Sequence, residues 1–141
     1  MTLSDQIKRN ALALSSLFVA FSALGYNTWR NESTEENRNI RKAGFELIVH
    51  IGALQRISYL AHFEKDQYRG SPRLGWTEVL LIRDLSHLLP ENVQKKSEKL
   101  MSAWEKNWLT LGNSNEIAVS SIDSALNELR VEVLDVIRAL D

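Results

Sequence analysis

The chain has no cysteine, two prolines and three histidines in 141 residues. Without cysteine there are no disulfides, no thiol nucleophile and no cysteine-ligated metal. The compartment stays open, because a cysteine-free chain tolerates oxidising and reducing surroundings alike. Neither proline precedes Pro72, and no glycine lies between Gly25 and Gly44. Nothing therefore forces a break in a helix that begins near the N-terminus.

Charge of one sign is also missing. The formal net charge is −1; Asp5, Lys8 and Arg9 in residues 1–29 sum to +1, which leaves −2 on residues 30–141. Such a balance offers nucleic acid no electrostatic attraction. Gly-x-Gly-x-x-Gly, the phosphate-binding Walker loop, Gly-x-Ser-x-Gly and His-Glu-x-x-His are all absent. No serine or carboxylate carries a signature of activation, so the expectation is a protein that is not an enzyme and uses no cofactor.

What is present is an uncharged run over residues 11–29, preceded by Lys8 and Arg9 and closed by Arg30. As a helix it would be roughly 28 Å long, close to the hydrocarbon thickness of a bilayer. Leu12, Leu14, Leu17, Phe18, Val19, Phe21 and Leu24 supply the apolar content, diluted by serines. Tyr26 and Trp29 stand where an interfacial aromatic belt would be. Lys8, Arg9, Tyr26, Trp29 and Arg30 are thus the expected membrane-interface residues. A cleaved signal peptide, with a small-x-small site at Ala20 to Ser22 or Ala23 to Gly25, is one alternative. A buried or interfacial helix is another. The anchor is preferred because the helical pattern runs on past both sites. Lys8 and Arg9 argue for a cytoplasmic N-terminus and a periplasmic domain. Arg30, Arg38, Arg41 and Lys42 argue the other way, with less weight ahead of a long domain.

The expected organisation is a tail and transmembrane anchor over residues 1–30, a polar helical neck over 31–39 and a helical bundle over 40–141. Ile40, Gly44, Leu47, Ile51, Leu54, Ser58 and Ala61 alternate steps of four and three, which is one face of a helix meeting a partner. Residues 65–75, with Gly70, Ser71, Pro72 and Gly75, read as a loop. Three further helices are expected near 76–88, 90–111 and 114–140. Pro90 suits the first turn of the third helix of the chain, and Gly112 its C-terminal stop. Asn113 and Glu116 resemble a capping box for the last helix. Its stripe Val119, Ile122, Leu126, Leu129, Val133, Val136 and Leu140 is the strongest periodic signal in the chain.

Three places could carry binding or chemistry. His62, Glu64 and Asp66 lie close enough in sequence for a metal or hydrolytic site, against the plainer reading of a surface histidine near a helix end. Trp104 and Trp108, one turn apart, could line a small-ligand pocket, against ordinary core packing. Tyr68, Arg69, Arg73 and Trp76 combine aromatics with arginines, the mixture that contact surfaces favour. They are the candidate partner-contact residues, against the plainer role of covering the end of a bundle.

Residues 26–46, with Gly75, Trp76 and residues 80–85, resemble a group of uncharacterised proteobacterial proteins with a short N-terminal membrane anchor and a small helical domain. The resemblance implies a bacterial inner-membrane protein and brings no activity, cofactor or catalytic residue. The combined expectation is an all-α protein. A long N-terminal helix carries a transmembrane segment, and a small antiparallel bundle of about four helices follows. It would be a single-pass interaction or scaffold module that contacts lipid through its N-terminal helix. It would bind a protein partner or a second copy of itself, and no nucleic acid. A ligand-binding or sensory bundle acting through a partner is the alternative, and an enzyme the least favoured.

Overall fold

A computed structural model describes residues 10–113 and 115–140 of the protein. Lys8 and Arg9 lie outside the described residues. Among the described residues the fold is all-α, with four α-helices and no strand. These are α1 (Ala11–Tyr59), α2 (Pro72–Ser86), α3 (Glu91–Asn107) and α4 (Glu116–Arg138). A π-helical turn, Leu60–Glu64, extends α1, and a 3-10 turn, Leu111–Asn113, precedes α4. The chain divides into two compact units, Met1–Arg38 and Asn39–Asp141.

In the first unit, Leu12, Leu17, Phe18, Phe21 and Leu24 are all more than half exposed. The helix beginning at Ala11 is long and apolar enough to cross a membrane: its most apolar window has a mean hydropathy of 1.3, and none of that window is buried. The hydroxyls of Ser15 and Ser16 donate to the carbonyl of Leu12, at 2.9 and 2.8 Å, so these polar groups are satisfied within the helix. Tyr26 and Trp29 pack together with ring centroids 6.1 Å apart.

The second unit is a four-helix bundle built from the distal part of α1 with α2, α3 and α4. The stripe expected on α1 is its inner face. Gly44, Leu47, Ile51, Leu54, Ser58 and Ala61 are buried, and Ile40 is half-buried at its start. From α4 the buried set is Val119, Ile122, Leu126, Leu129 and Val133, with Ala118 and Ala125 beside them. Side-chain pairs show α1 and α4 antiparallel. Arg41 donates to the carbonyl of Leu140 near one end, and Gln55 and Tyr59 both donate to Asp123 near the other. Lys96 and Lys99 converge on Glu128, and Asn92 on Glu132, which sets α3 antiparallel to α4.

Helix boundaries depart from expectation in three places. α2 starts at Pro72, so the loop is shorter than residues 65–75. Proline is pre-organised for the first helical position, and Ser71 precedes it in extended conformation. Gly75 then lies inside α2, where it serves close packing. A Cβ there would meet the indole of Trp104 at 2.1 Å. α3 ends at Asn107, earlier than the expected stop at Gly112, which sits in the 3-10 turn. Finally, Asn115 caps α4 in place of Asn113; its side-chain oxygen accepts from the amide of Ala118 at 3.2 Å.

Candidate functional site

The connection between α1 and α2 is built around Asp66 and Gly70. The π turn closes through the amide of Lys65 onto the carbonyl of Leu60, and Lys65 takes the left-handed conformation (φ 52°) that usually ends a helix on glycine. Asp66 then accepts from the backbone amides of Tyr68 and Arg69, and from Arg69 Nε at 2.7 Å. The Arg69 amide above all, with its guanidinium, holds this carboxyl below the ordinary aspartate range. Gly70 lies directly against the π turn, where a Cβ would come 2.5 Å from the amide nitrogen of Ala61. The turn is therefore pinned on two sides.

Beside it is an open groove of about 430 Å³ between α1 and α2. Ala53, Ile57, Leu60 and Leu74 line it with apolar surface, and Arg56, Tyr68 and Arg69 with polar or aromatic surface. Next to the groove, His50 Nδ1 lies 2.7 Å from Glu78 Oε2, tying the two helices together. The groove brings Tyr68 and Arg69 together. Tyr68 is 88% exposed, and Arg69 is held in place by Asp66. Arg73 is exposed and is not part of the lining. Trp76 is half-buried and meets Trp108 edge-to-face, with centroids 6.1 Å apart. The four candidate contact residues are thus divided between the α1–α2 connection, which holds Tyr68 and Arg69, and the start of α2, which holds Arg73 and Trp76. Arg56 and the α1 side of the groove escaped the sequence reading. Ala53, Ile57 and Leu60, spaced four and three apart beside the inner stripe, were the available signal.

His62 corrects an expectation. It is not a surface histidine but is 5% exposed, edge-on to Phe63 at 4.5 Å. The wide i→i+5 turn admits an extra residue and rotates this position inward. Its Nε2 lies 3.7 Å from Glu116 Oε1, beyond hydrogen-bond range, and its Nδ1 has no partner among the described residues. Asp66 is committed to Arg69 and the backbone. Among the described residues, no three of His, Asp and Glu come together as a group that could hold a metal ion.

Trp104 is fully buried, packed against the bare backbone of Gly75. That contact occupies the space a ligand beside it would need. Tyr26, Trp29 and Arg30, expected at a membrane interface, are exposed on α1. No family model, curated protein or solved structure matches the chain.

Proposed function

We propose that the protein is a single-pass, membrane-anchored helical interaction module of a bacterial inner membrane. Its bundle lies on the periplasmic side and its role is binding rather than catalysis. One observation carries the reading: none of the residues in the most apolar window of α1, near the N-terminus, is buried. Exposed leucines and phenylalanines in a stretch of bilayer length need a non-aqueous environment. Helical backbone and hydroxyls bonded back to the preceding turn meet the bilayer's demand for internal hydrogen bonding. The groove between α1 and α2, apolar with arginines and an exposed tyrosine, has the make-up of a protein contact surface.

The test is fractionation with alkaline extraction, read beside a reporter fused after Asp141 that works only outside the cytoplasm. The full-length chain is expected in the extracted pellet with the reporter active. Leu17→Arg places a charge in the middle of the run at a cost of about 2.5–3.5 kcal/mol and shifts protein to the soluble fraction. A soluble, full-length wild-type chain would sink the anchor. Loss of the first residues by mass would make the segment a signal peptide. An intact but inactive fusion in the pellet would put the bundle in the cytoplasm.

A further inference from the structure

The groove between α1 and α2 carries an imbalance that its apolar walls do not explain. The one carboxylate in its lining, Glu78, already has a partner, since His50 Nδ1 lies 2.7 Å from Oε2. Asp66, beside the groove, is taken up by the amides of Tyr68 and Arg69 and by Arg69 Nε. The cations are not matched in the same way. Arg56 is exposed and makes no hydrogen bond or ion pair among the described residues. Arg69 gives Asp66 its Nε, and neither of its terminal nitrogens is bonded among the described residues. The hydroxyl of the exposed Tyr68 has no partner there either.

What the groove leaves unfilled is therefore hydrogen-bond donors, set beside the apolar surface of Ala53, Ile57, Leu60 and Leu74. They come from two elements. Arg56 stands on α1, and Arg69 on the connection to α2, where Asp66 holds it. A planar guanidinium presents its N–H groups as a fork, and the acceptor that fits a fork is a carboxylate with its two oxygens. An arginine already held by one carboxylate loses less side-chain freedom on binding a second.

We infer that the groove takes an acidic segment of a partner protein. It would be an amphipathic stretch whose apolar side chains cover Ile57, Leu60 and Leu74 and whose Asp or Glu reaches Arg56 and Arg69. The inference rests on the reading of this groove as a protein contact surface. Two other occupants fit less well. A small carboxylic acid needs a pocket that encloses most of its surface, and this groove is open. An anionic membrane surface draws on clusters of about four or more basic residues, and the lining has two. A peptide needs neither. Apolar contacts supply its area, and the arginines select the sign of its charge.

The test selects peptides from a random library displayed on phage. The bait is the full-length chain in nanodiscs of neutral lipid, and binders to empty nanodiscs are discarded. Selected peptides are expected to combine large apolar residues at helical spacing with Asp or Glu. They should lose binding when those acids become Asn or Gln, and weaken as salt is raised. Arg56→Gln, a helix-compatible change at an exposed position, is expected to weaken them about tenfold or more, because a hydrogen bond between charged groups is lost. Leu74→Ser, also at an exposed position of the lining, gives a second route to the same loss. Lys106→Gln removes an exposed cation on α3 and is expected to leave binding unchanged, which separates a site from general attraction. Binders without acidic residues, or equal binding by Arg56→Gln and wild type, would overturn the inference. The contact surface would still stand if Leu74→Ser weakened them. An empty selection would overturn the contact surface as well. Saturable binding of dodecanoate or of phosphatidylglycerol vesicles, abolished by Arg56→Gln while no peptide is selected, would overturn it in favour of a fatty acid or a lipid headgroup. Self-association abolished by Arg56→Gln would overturn it in favour of a second copy. None of these results touches the anchor, which fractionation decides.

Discussion

The apolar run near the N-terminus and the inner stripe of α1 lie on one helix and use the same kinds of side chain to opposite ends. Leu12 is 83% exposed and Phe18 73%, whereas Leu47, Ile51 and Leu54 are fully buried. The amount of apolar surface does not separate these regions; its distribution around the helix does. In residues 11–29 leucines and phenylalanines point in every direction, the pattern of a helix that needs an apolar surrounding on all sides. In residues 40–61 the buried leucines and isoleucines keep to one side, where neighbouring helices cover them, while Phe45, Val49 and Tyr59 elsewhere on the helix stay exposed.

The sharpest way to break the comparison is to make the same substitution in the apolar run and in the core that the inner stripe helps to form. Trp104→Ala removes a fully buried indole and is expected to lower bundle stability by about 3–5 kcal/mol in denaturant unfolding. Trp29→Ala, 64% exposed in the structure, is expected to leave the unfolding curve unmoved. An equal loss at Trp29 would mean that the apolar region is packed by the bundle after all. The glycines give a smaller contrast. Gly75→Ala forces a methyl into Trp104 and should cost about 1–3 kcal/mol, whereas Gly25→Ala has open space and should change bundle stability by less than about 0.5 kcal/mol. A neutral Gly75→Ala would show that α2 and α3 can move apart cheaply.

The smallest effect is electrostatic and confined to the bundle. The Asp66 carboxyl is held low, first by the amide of Arg69, and that of Glu128 is held low, first by Lys99 and then by Lys96. A carboxylate with a depressed folded-state pKa contributes its stability above the ordinary value and loses it as pH falls through the folded value. The thermal midpoint should therefore fall as the pH drops below about 4. Asp66→Asn should lower it near neutral pH, and the gap to wild type should narrow in acid. A constant gap would point to lost hydrogen-bond geometry rather than lost charge.

Much of this architecture was legible because helical periodicity is a local property. The stripes from Ile40 to Ala61 and from Val119 to Val133 lie on the faces that their spacing predicts, since about 3.6 residues per turn places them there whatever they meet. Loop composition misled at Gly75. Glycine near proline signals a turn, but here it is the only residue that lets Trp104 reach the backbone of α2. Gly112 misled in the same way, as a stop signal several residues beyond the true end of α3. The contact region was legible in composition but not in direction. Tyr68 and Arg69 share the groove, whereas Trp76 turns to Trp108.

By itself, the sequence determined the helical class, the inner faces of α1 and α4, and an uncharged run of bilayer length. Each follows from the order of side chains along a single helix. Only the tertiary structure decided that His62 is buried, that α2 begins at Pro72, that Trp104 is locked against Gly75, and that Phe45, Val49 and Phe63 stay exposed. Those outcomes depend on which surface of another helix arrives at each position and how closely it can approach. That distance is set by side chains far away in the chain.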